Sequence, residues 1–219
     1  MIPLGVLAGS RHVPSGGGGG GVEFARALWP LSDSANNEVD FLTATVGEYA
    51  IAAATHTGSV GSVTPPAGWT VLHSTGNHKI WGKIIESPDL TTLTWTHGTP
   101  TDHYRMAVSL YSGVSTVAPV AESGYGTMSD TSAPLADLAT LGAMRVGIAY
   151  GFISGTATWE PPADYIERFD SSLVSSGSNR WHLGIFDTDG VPVSTGSAVA
   201  TCSATLGYGA TAHLALSPA

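Results

Sequence analysis

Four acidic residues gather in the second half of the chain: Asp164, Glu167, Asp187 and Asp189. Two carboxylates facing each other across a groove, about 5 to 10 Å apart, can hydrolyse a glycosidic bond. The run from Asp187 to Gly190 is also typical of a turn in which Asp side chains accept hydrogen bonds from backbone amides. It lacks the later glutamate of a calcium loop. Solvated surface carboxylates are the favoured interpretation, and a glycan-degrading enzyme is the least favoured function.

Eight histidines and a single cysteine are the other potential metal ligands. His73 and His78 lie five residues apart across a predicted turn, and His97 and His103 lie six apart across a predicted loop. Neither spacing matches a zinc pattern, and no cysteine pair adds to it. The sequence therefore predicts no metal site and no cofactor.

No nucleophile stands in a recognisable catalytic frame. Ser112-Gly113 lacks the preceding Gly-x of a nucleophile elbow. Cys202 stands in a run of Thr, Ala and Ser, which predicts a buried thiol on a strand. The glycine run that ends at Gly21 follows no buried strand, as a phosphate-binding loop would. We therefore expect a protein that is not an enzyme.

Aromatic side chains are the remaining candidates for binding, with six Trp and seven Tyr in the chain. An exposed ring beside a rigid turn can stack on a sugar ring. Trp69 follows the rigid sequence Pro-Pro-Ala-Gly, so it is a candidate for glycan stacking, together with Trp159 and Tyr165. Burial as a core anchor is the alternative for each of these rings.

The composition predicts the elements that must position these residues. Hydrophobic residues make up 42% of the chain and charged residues only 11%, so too few charges are present to cover the solvent faces of many helices. Short runs rich in β-branched and aromatic residues alternate with Gly, Pro, Asn and Asp. Twelve strands are predicted, at residues 39–45, 49–55, 70–74, 79–85, 91–96, 105–111, 117–123, 145–153, 165–170, 180–187, 198–205 and 210–217.

A dozen strands predict an all-β fold, an antiparallel β-sandwich of jelly-roll type, because one flat sheet of that size would leave an apolar face in water. A helix of at most two turns over residues 133–141 is an alternative for that segment, since leucines recur there at a spacing of three. We expect a single sandwich domain over residues 22–219, preceded by an extended N-terminal arm over residues 1–21.

The sandwich itself contains two similar stretches, at about residues 39–123 and 142–219. Each runs from a glycine into a strand, then to a Pro-Pro turn with an aromatic residue, then to a strand that contains Trp. The offsets between the copies are 95 for Gly47 and Gly142, 96 for the prolines, and 100 for Trp81 and Trp181. Near-constant offsets favour one unit used twice, and chance similarity between apolar strands is the alternative.

The arm combines an apolar peptide with a flexible tether. Its apolar side chains are Ile2, Leu4, Val6 and Leu7. They precede the consecutive glycines Gly16, Gly17, Gly18, Gly19, Gly20 and Gly21, which have the highest backbone entropy available. An extended apolar peptide on such a tether can add to a neighbour's sheet, so the arm is predicted to dock onto a partner. A tail without function is the alternative.

Charge and hydropathy exclude several classes of partner. The formal net charge is -9, which disfavours binding to nucleic acid phosphates. No stretch approaches the eighteen or more apolar residues of a membrane span, and the first residues lack the basic start of a secretory signal. We therefore expect no nucleic acid partner and no membrane insertion.

Six segments in order resemble a β-sandwich domain found in bacteriophage minor tail and virion accessory proteins: residues 47–54, 65–72, 79–85, 93–96, 107–114 and 213–218. Residues 1–11 are similar to the N-terminus of minor tail proteins of phages that infect actinobacteria. The resemblance implies a virion structural or accessory protein of minor-tail, spike or capsid-decoration type. It implies no catalytic residues. Many such proteins have several domains, whereas one is predicted here.

We therefore expect a virion protein, made in the host bacterial cytoplasm, that the arm anchors to other virion proteins of the capsid, collar or tail. A carbohydrate-binding adhesin that recognises a host-surface glycan is the alternative, and the two functions are compatible. Edge strands of an acidic sandwich also favour a homo-oligomer, with a trimer as one form.

Overall fold

The protein is described from a computed structural model that covers residues 21–30, 36–56, 63–97, 104–128, 130–140, 144–176, 179–190 and 198–219. In these ranges the chain forms sixteen β-strands and one short 3-10 helix, Ser87–Asp89, with no α-helix. All the strand pairs are antiparallel. The predicted all-β sandwich is confirmed, with more strands than the dozen predicted.

The first eight strands form one unit. They are β1 Glu23–Leu28, β2 Asn36–Asp40, β3 Tyr49–His56, β4 Val63–Thr64, β5 Thr70–Ser74, β6 His78–Ile84, β7 Thr92–His97 and β8 Tyr104–Ser112. Five of them make a sheet in the order β1-β8-β3-β6-β5, and the other three make a sheet in the order β2-β7-β4.

The second eight strands form another unit. They are β9 Val120–Thr127, β10 Ser132–Leu135, β11 Met144–Ser154, β12 Trp159–Glu160, β13 Ile166–Ser176, β14 Asn179–Asp187, β15 Ala198–Cys202 and β16 Leu206–Leu216. Their sheets have the orders β9-β16-β11-β14-β13 and β10-β15-β12. Each strand of the second unit therefore has the same place in its sheet as the strand of the first unit that precedes it by eight in chain order. Eight strands divided in this way between two sheets are a jelly roll.

The Pro-Pro turns occupy equivalent places, between β4 and β5 and between β12 and β13. Gly68 has a φ of 84° and Asp164 a φ of 68°, so both turns use the left-handed region just before the aromatic residue. Trp69 and Tyr165 follow these positions, and both are 8% exposed. The repeated stretches start earlier in the structure than the sequence pattern suggested, at β1 and β9.

Three apolar cores divide the molecule into four layers. Each five-stranded sheet packs one face against the three-stranded sheet of its own unit. The other faces of the two five-stranded sheets pack against each other in a shared core, where Ile51 and Tyr111 of the first unit meet Ile148 and Leu183 of the second. Because both faces of these sheets are buried, their central strands are apolar on both sides.

Two details of the sequence prediction are wrong. The helix over residues 133–141 does not form, since Ser132–Leu135 is strand β10, paired with β15. Trp81 and Trp181 are not equivalent. Trp81 lies in the core inside the first unit, whereas Trp181 shares a face of β14 with Leu183, which faces the other unit.

Candidate functional site

The strand registers give the body two opposite ends. Strand β3 begins at Tyr49, opposite Tyr111 of β8, and β11 begins at Met144, opposite Leu216 of β16. We call this the near end, because Gly21, where the described chain begins, also lies there. We call the opposite end, where β3 and β11 finish, the far end. Strand β11 has eleven residues, so the two ends are about 35 Å apart.

The chain enters the body from a fixed point at the near end. Gly113 has a φ of 69°, and a Cβ atom there would lie 2.4 Å from the carbonyl oxygen of Gly21. Val22 is 4% exposed, and its carbonyl oxygen lies against Gly190 of the second unit. The Ala219 amide donates to the Gly113 carbonyl at 2.9 Å. Both units therefore contact the chain at residues 21 and 22, where the predicted arm joins the body.

The predicted docking side chains lie outside the described residues, as does the tether apart from its last glycine. These residues are Ile2, Leu4, Val6 and Leu7, and Gly16, Gly17, Gly18, Gly19 and Gly20.

The near end also carries exposed apolar side chains. Leu42 is 66% exposed and Val46 is 55% exposed in the loop between β2 and β3. Val117, in the connection between the two units, is 93% exposed. Nearby, a groove of about 370 Å³ is lined by residues of both units, among them Leu72 and Val120. These side chains are available for contact with another molecule.

The three predicted glycan-stacking residues are buried, which is inconsistent with that role. Trp69 is 8% exposed, Trp159 is 3% exposed and Tyr165 is 8% exposed. The Trp69 ring packs edge-on against Trp95, with 5.0 Å between the ring centroids. The Tyr165 hydroxyl lies 2.7 Å from Nε2 of the buried His213. These rings belong to the cores inside the units: Trp69 and Tyr165 immediately precede β5 and β13, and Trp159 lies in β12.

A different aromatic group reaches solvent at the far end. Tyr208, Phe152 and Trp181 are directly opposite one another on β16, β11 and β14. The centroids of the Phe152 and Tyr208 rings are 5.6 Å apart, with 17° between their planes, and Trp181 lies 5.2 Å from Tyr208. Tyr208 is 46% exposed, whereas Trp181 is 1% exposed. We call the Phe152 and Tyr208 pair the aromatic shelf.

The first unit borders this shelf with the β5–β6 hairpin. Asn77, in the hairpin turn, donates from Nδ2 to the Tyr208 hydroxyl at 3.4 Å. Beside it, His78 stacks on Tyr150 of the second unit, with 3.8 Å between ring centroids, and burial lowers the pKa of His78 to about 3, with a smaller contribution from His73. His73 and His78 therefore lie at the junction of the units.

A buried polar network in the second unit was missed by sequence reasoning. His182 hydrogen-bonds to Asp170 through Nε2, and Asp170 accepts from the Trp159 amide at 3.0 Å. Burial lowers the pKa of His182, but hydrogen bonds with Asp170 and Cys202 outweigh it, so the pKa is raised. The residue types are those of a cysteine hydrolase. Because Cys202 is 3% exposed and His182 is 1% exposed, we interpret the network as part of the core.

The acidic stretch is organised around an arginine. Asp187 is 0% exposed and receives two hydrogen bonds of 2.9 Å from Arg168, which also pairs with Asp189. Burial raises the pKa of Asp187, and Arg168 opposes that shift without cancelling it. The Asp189 amide donates to the Asp187 carboxylate at 2.9 Å, which confirms the predicted Asp turn. Arg168 therefore pairs with two of the four carboxylates named in the sequence analysis, Asp187 and Asp189.

Within the described ranges, no three His, Cys, Asp or Glu side chains are placed to hold a metal ion. No helix in those ranges is long and apolar enough to cross a membrane. Comparison of the chain with known proteins found no matching family model, no similar curated protein and no similar solved structure.

Proposed function

We propose that this protein is an accessory protein of a bacteriophage virion, of minor-tail, spike or capsid-decoration type. Residues 1–20 bind another virion protein, and the two jelly rolls project from it with the near end toward the particle. The observation that carries this proposal is the entry of the chain at the near end, where Gly21 and Val22 are held between the units. A peptide that leaves the body at the near end tethers this end to its partner.

The packing of the units supports the same function. The shared core joins the facing surfaces of the five-stranded sheets, and ring contacts such as His73 on Tyr125 add to the junction. Two sandwiches joined in this way have no flexible hinge between large apolar faces, because separation would expose the shared core to water. A rigid body suits a protein that holds a surface away from a particle.

The exposed apolar residues of the near end also support docking there. Leu42 and Val46 lie in the loop before β3, which begins at the near end, and Val117 lies in the connection that follows β8. A partner that binds the arm can cover these side chains as well. In this proposal the arm tethers the near end, and contact through these side chains sets the orientation of the body.

An arm variant tests the proposal in the phage that encodes the chain. Replacing Ile2, Leu4, Val6 and Leu7 by serine keeps the tether and the body but removes the apolar contact. We expect the purified body to keep its thermal unfolding midpoint, and the purified particles to lose the protein by mass spectrometry. The matched control shortens the tether by two glycines, Gly17 and Gly18, and should leave incorporation unchanged. Wild-type particles without the protein, or full incorporation of the serine variant, would refute the proposal.

The predicted homo-oligomer, with a trimer as one form, is part of the proposal. Sedimentation equilibrium of the full chain measures it directly. A single species at the 22.4 kDa of one chain, at micromolar concentration, would contradict self-association in solution.

A further inference from the structure

We propose that the aromatic shelf of Phe152 and Tyr208 is a binding site for one ring of a neutral glycan. The inference deepens the proposed function by naming the ligand class at the far end. It rests on the proposed function only for the claim that the shelf faces away from the particle.

The shelf is a rigid surface. Phe152 and Tyr208 are direct cross-strand neighbours, and their ring planes differ by 17°. Trp181 contacts both rings at centroid distances of 5.4 and 5.2 Å and is itself buried. Rings held in this way lose little conformational entropy when a ligand stacks on them. A pyranose has an apolar face of C–H groups, which such a ring can contact.

The exposed area of the shelf matches a small ligand in size. A Tyr side chain has roughly 200 Å² of surface, so the 46% exposure of Tyr208 leaves about 90 Å² free. This area is comparable to one face of a sugar ring.

Polar groups and charge define the ligand class further. Asn77 donates a long hydrogen bond of 3.4 Å to the Tyr208 hydroxyl, so an amide and a phenol stand at the rim, where sugar hydroxyls would lie. The formal charge of the chain is -9, which disfavours polyanionic glycans. The charge therefore favours a neutral glycan, and oligosaccharides of four sugars, glucose, galactose, mannose and N-acetylglucosamine, are suitable neutral probes.

The experiment measures binding by the full chain to soluble neutral oligosaccharides of these four sugars, with hyaluronate and alginate as anionic probes. Isothermal titration gives the affinity, and Trp fluorescence gives a second readout because Trp181, one of six Trp, lies 5.2 Å from Tyr208. We expect saturable binding of at least one neutral oligosaccharide. Tyr208→Ala should weaken it about tenfold or more, which corresponds to about 1.4 kcal/mol.

Two further variants separate stacking from other effects. Tyr208→Phe keeps the ring, so its affinity should stay within about threefold of the parent. Trp29→Ala is the matched control, because Trp29 is 49% exposed and packs on Phe169 rather than on the shelf. It should bind like the parent. Circular dichroism and the unfolding midpoint verify that each variant is folded.

The outcomes are decisive in both directions. No neutral oligosaccharide bound by the parent, binding of the anionic probes alone, or equal losses for Tyr208→Ala and Trp29→Ala would each overturn the site. Failure of the proposed virion function is a separate result. It is read from incorporation of the arm variant into particles, which leaves Tyr208 unchanged.

Discussion

Acidification should destabilise the junction between the two units through one histidine. His78 is 4% exposed, stacks on Tyr150 of the second unit and lies 3.0 Å from the Thr55 hydroxyl through Nδ1. Trp181 lies on another side of the ring at 5.7 Å. A charged imidazole in this position would lose its hydration without gaining a carboxylate partner among the described residues.

The magnitude follows from the two pKa values. The pKa of His78 is lowered from 6.5 to about 3 on folding, so the unfolded chain binds a proton first as the pH falls. The stabilising effect of the neutral ring is complete above pH 6.5 and is lost progressively between about pH 6.5 and pH 3. Between pH 7.5 and pH 4.5 the free energy of unfolding should fall by about 2.7 kcal/mol from this residue alone.

Urea unfolding of the parent and of His78→Gln at both pH values isolates the contribution. Glutamine keeps a hydrogen-bonding group near Thr55 but does not titrate. Other histidines act in both variants: burial also lowers the pKa of His73 and His213, whereas the pKa of His182 is raised. The contributions of His182 and His213 cancel in the difference between parent and variant, whereas His73 adds a smaller coupled contribution because it also lowers the pKa of His78.

We expect the variant to be less sensitive to acid than the parent by about 2 to 3 kcal/mol over that interval. Parallel pH dependences, within about 0.5 kcal/mol, would refute the reasoning. They would mean that His78 titrates normally, and hence that the two units separate or admit water at the stacked rings.

Three further predictions concern packing. A Cβ atom on Gly82 would lie 2.0 Å from a buried tyrosine hydroxyl, so Gly82→Ala should lower the free energy of unfolding in urea by about 1–3 kcal/mol. A Cβ atom on Gly76 would have no atom within 4 Å, so Gly76→Ala should change that free energy by less than about 0.5 kcal/mol. Equal effects would contradict the close packing. Arg168→Met should destabilise by about 3–5 kcal/mol, and adding Asp187→Asn should recover part of that loss because no buried charge is then unpaired. A double variant less stable than the single one would disprove the pairing. The Cys202 thiol should react with a disulfide reagent only after denaturant is added, and rapid labelling of the native protein would show that the core is open.

The strands could be predicted where one face is apolar and turns are clearly marked. In β16, the predicted alternation places Ala210, Ala212, Leu214 and Leu216 on one side, and these residues lie in or against the shared core. The Pro-Pro turn before Trp69 was predictable because proline and glycine restrict the backbone strongly.

The exposure of individual aromatic residues could not be predicted. The five-stranded sheets are buried on both faces, so polarity does not distinguish the two faces of a strand such as β11, where Ala149 and Tyr150 are both buried. Tyr208 is exposed because the hairpin of the first unit stops beside it at Asn77. That boundary depends on how two units pack, and Trp159 was singled out instead although it is buried.

The polar network of Asp170, His182 and Cys202 could not be predicted from the sequence either. The three residues are on β13, β14 and β15, and no spacing pattern connects them. Only the strand register and the packing of one sheet over another bring them together. A His on a face of β14 that otherwise carries Gly184 and Phe186 is the one local signal of an unusual core position.

A reconstruction of the intact phage particle tests the central claim most directly. Twenty residues precede Gly21, and at about 3.5 Å for each extended residue they reach about 70 Å. The account predicts density for two joined jelly rolls within that distance of a virion protein, with the near end inward and the Phe152 and Tyr208 shelf facing solvent. A particle without this density, or one that contacts the body through the shelf, would contradict it.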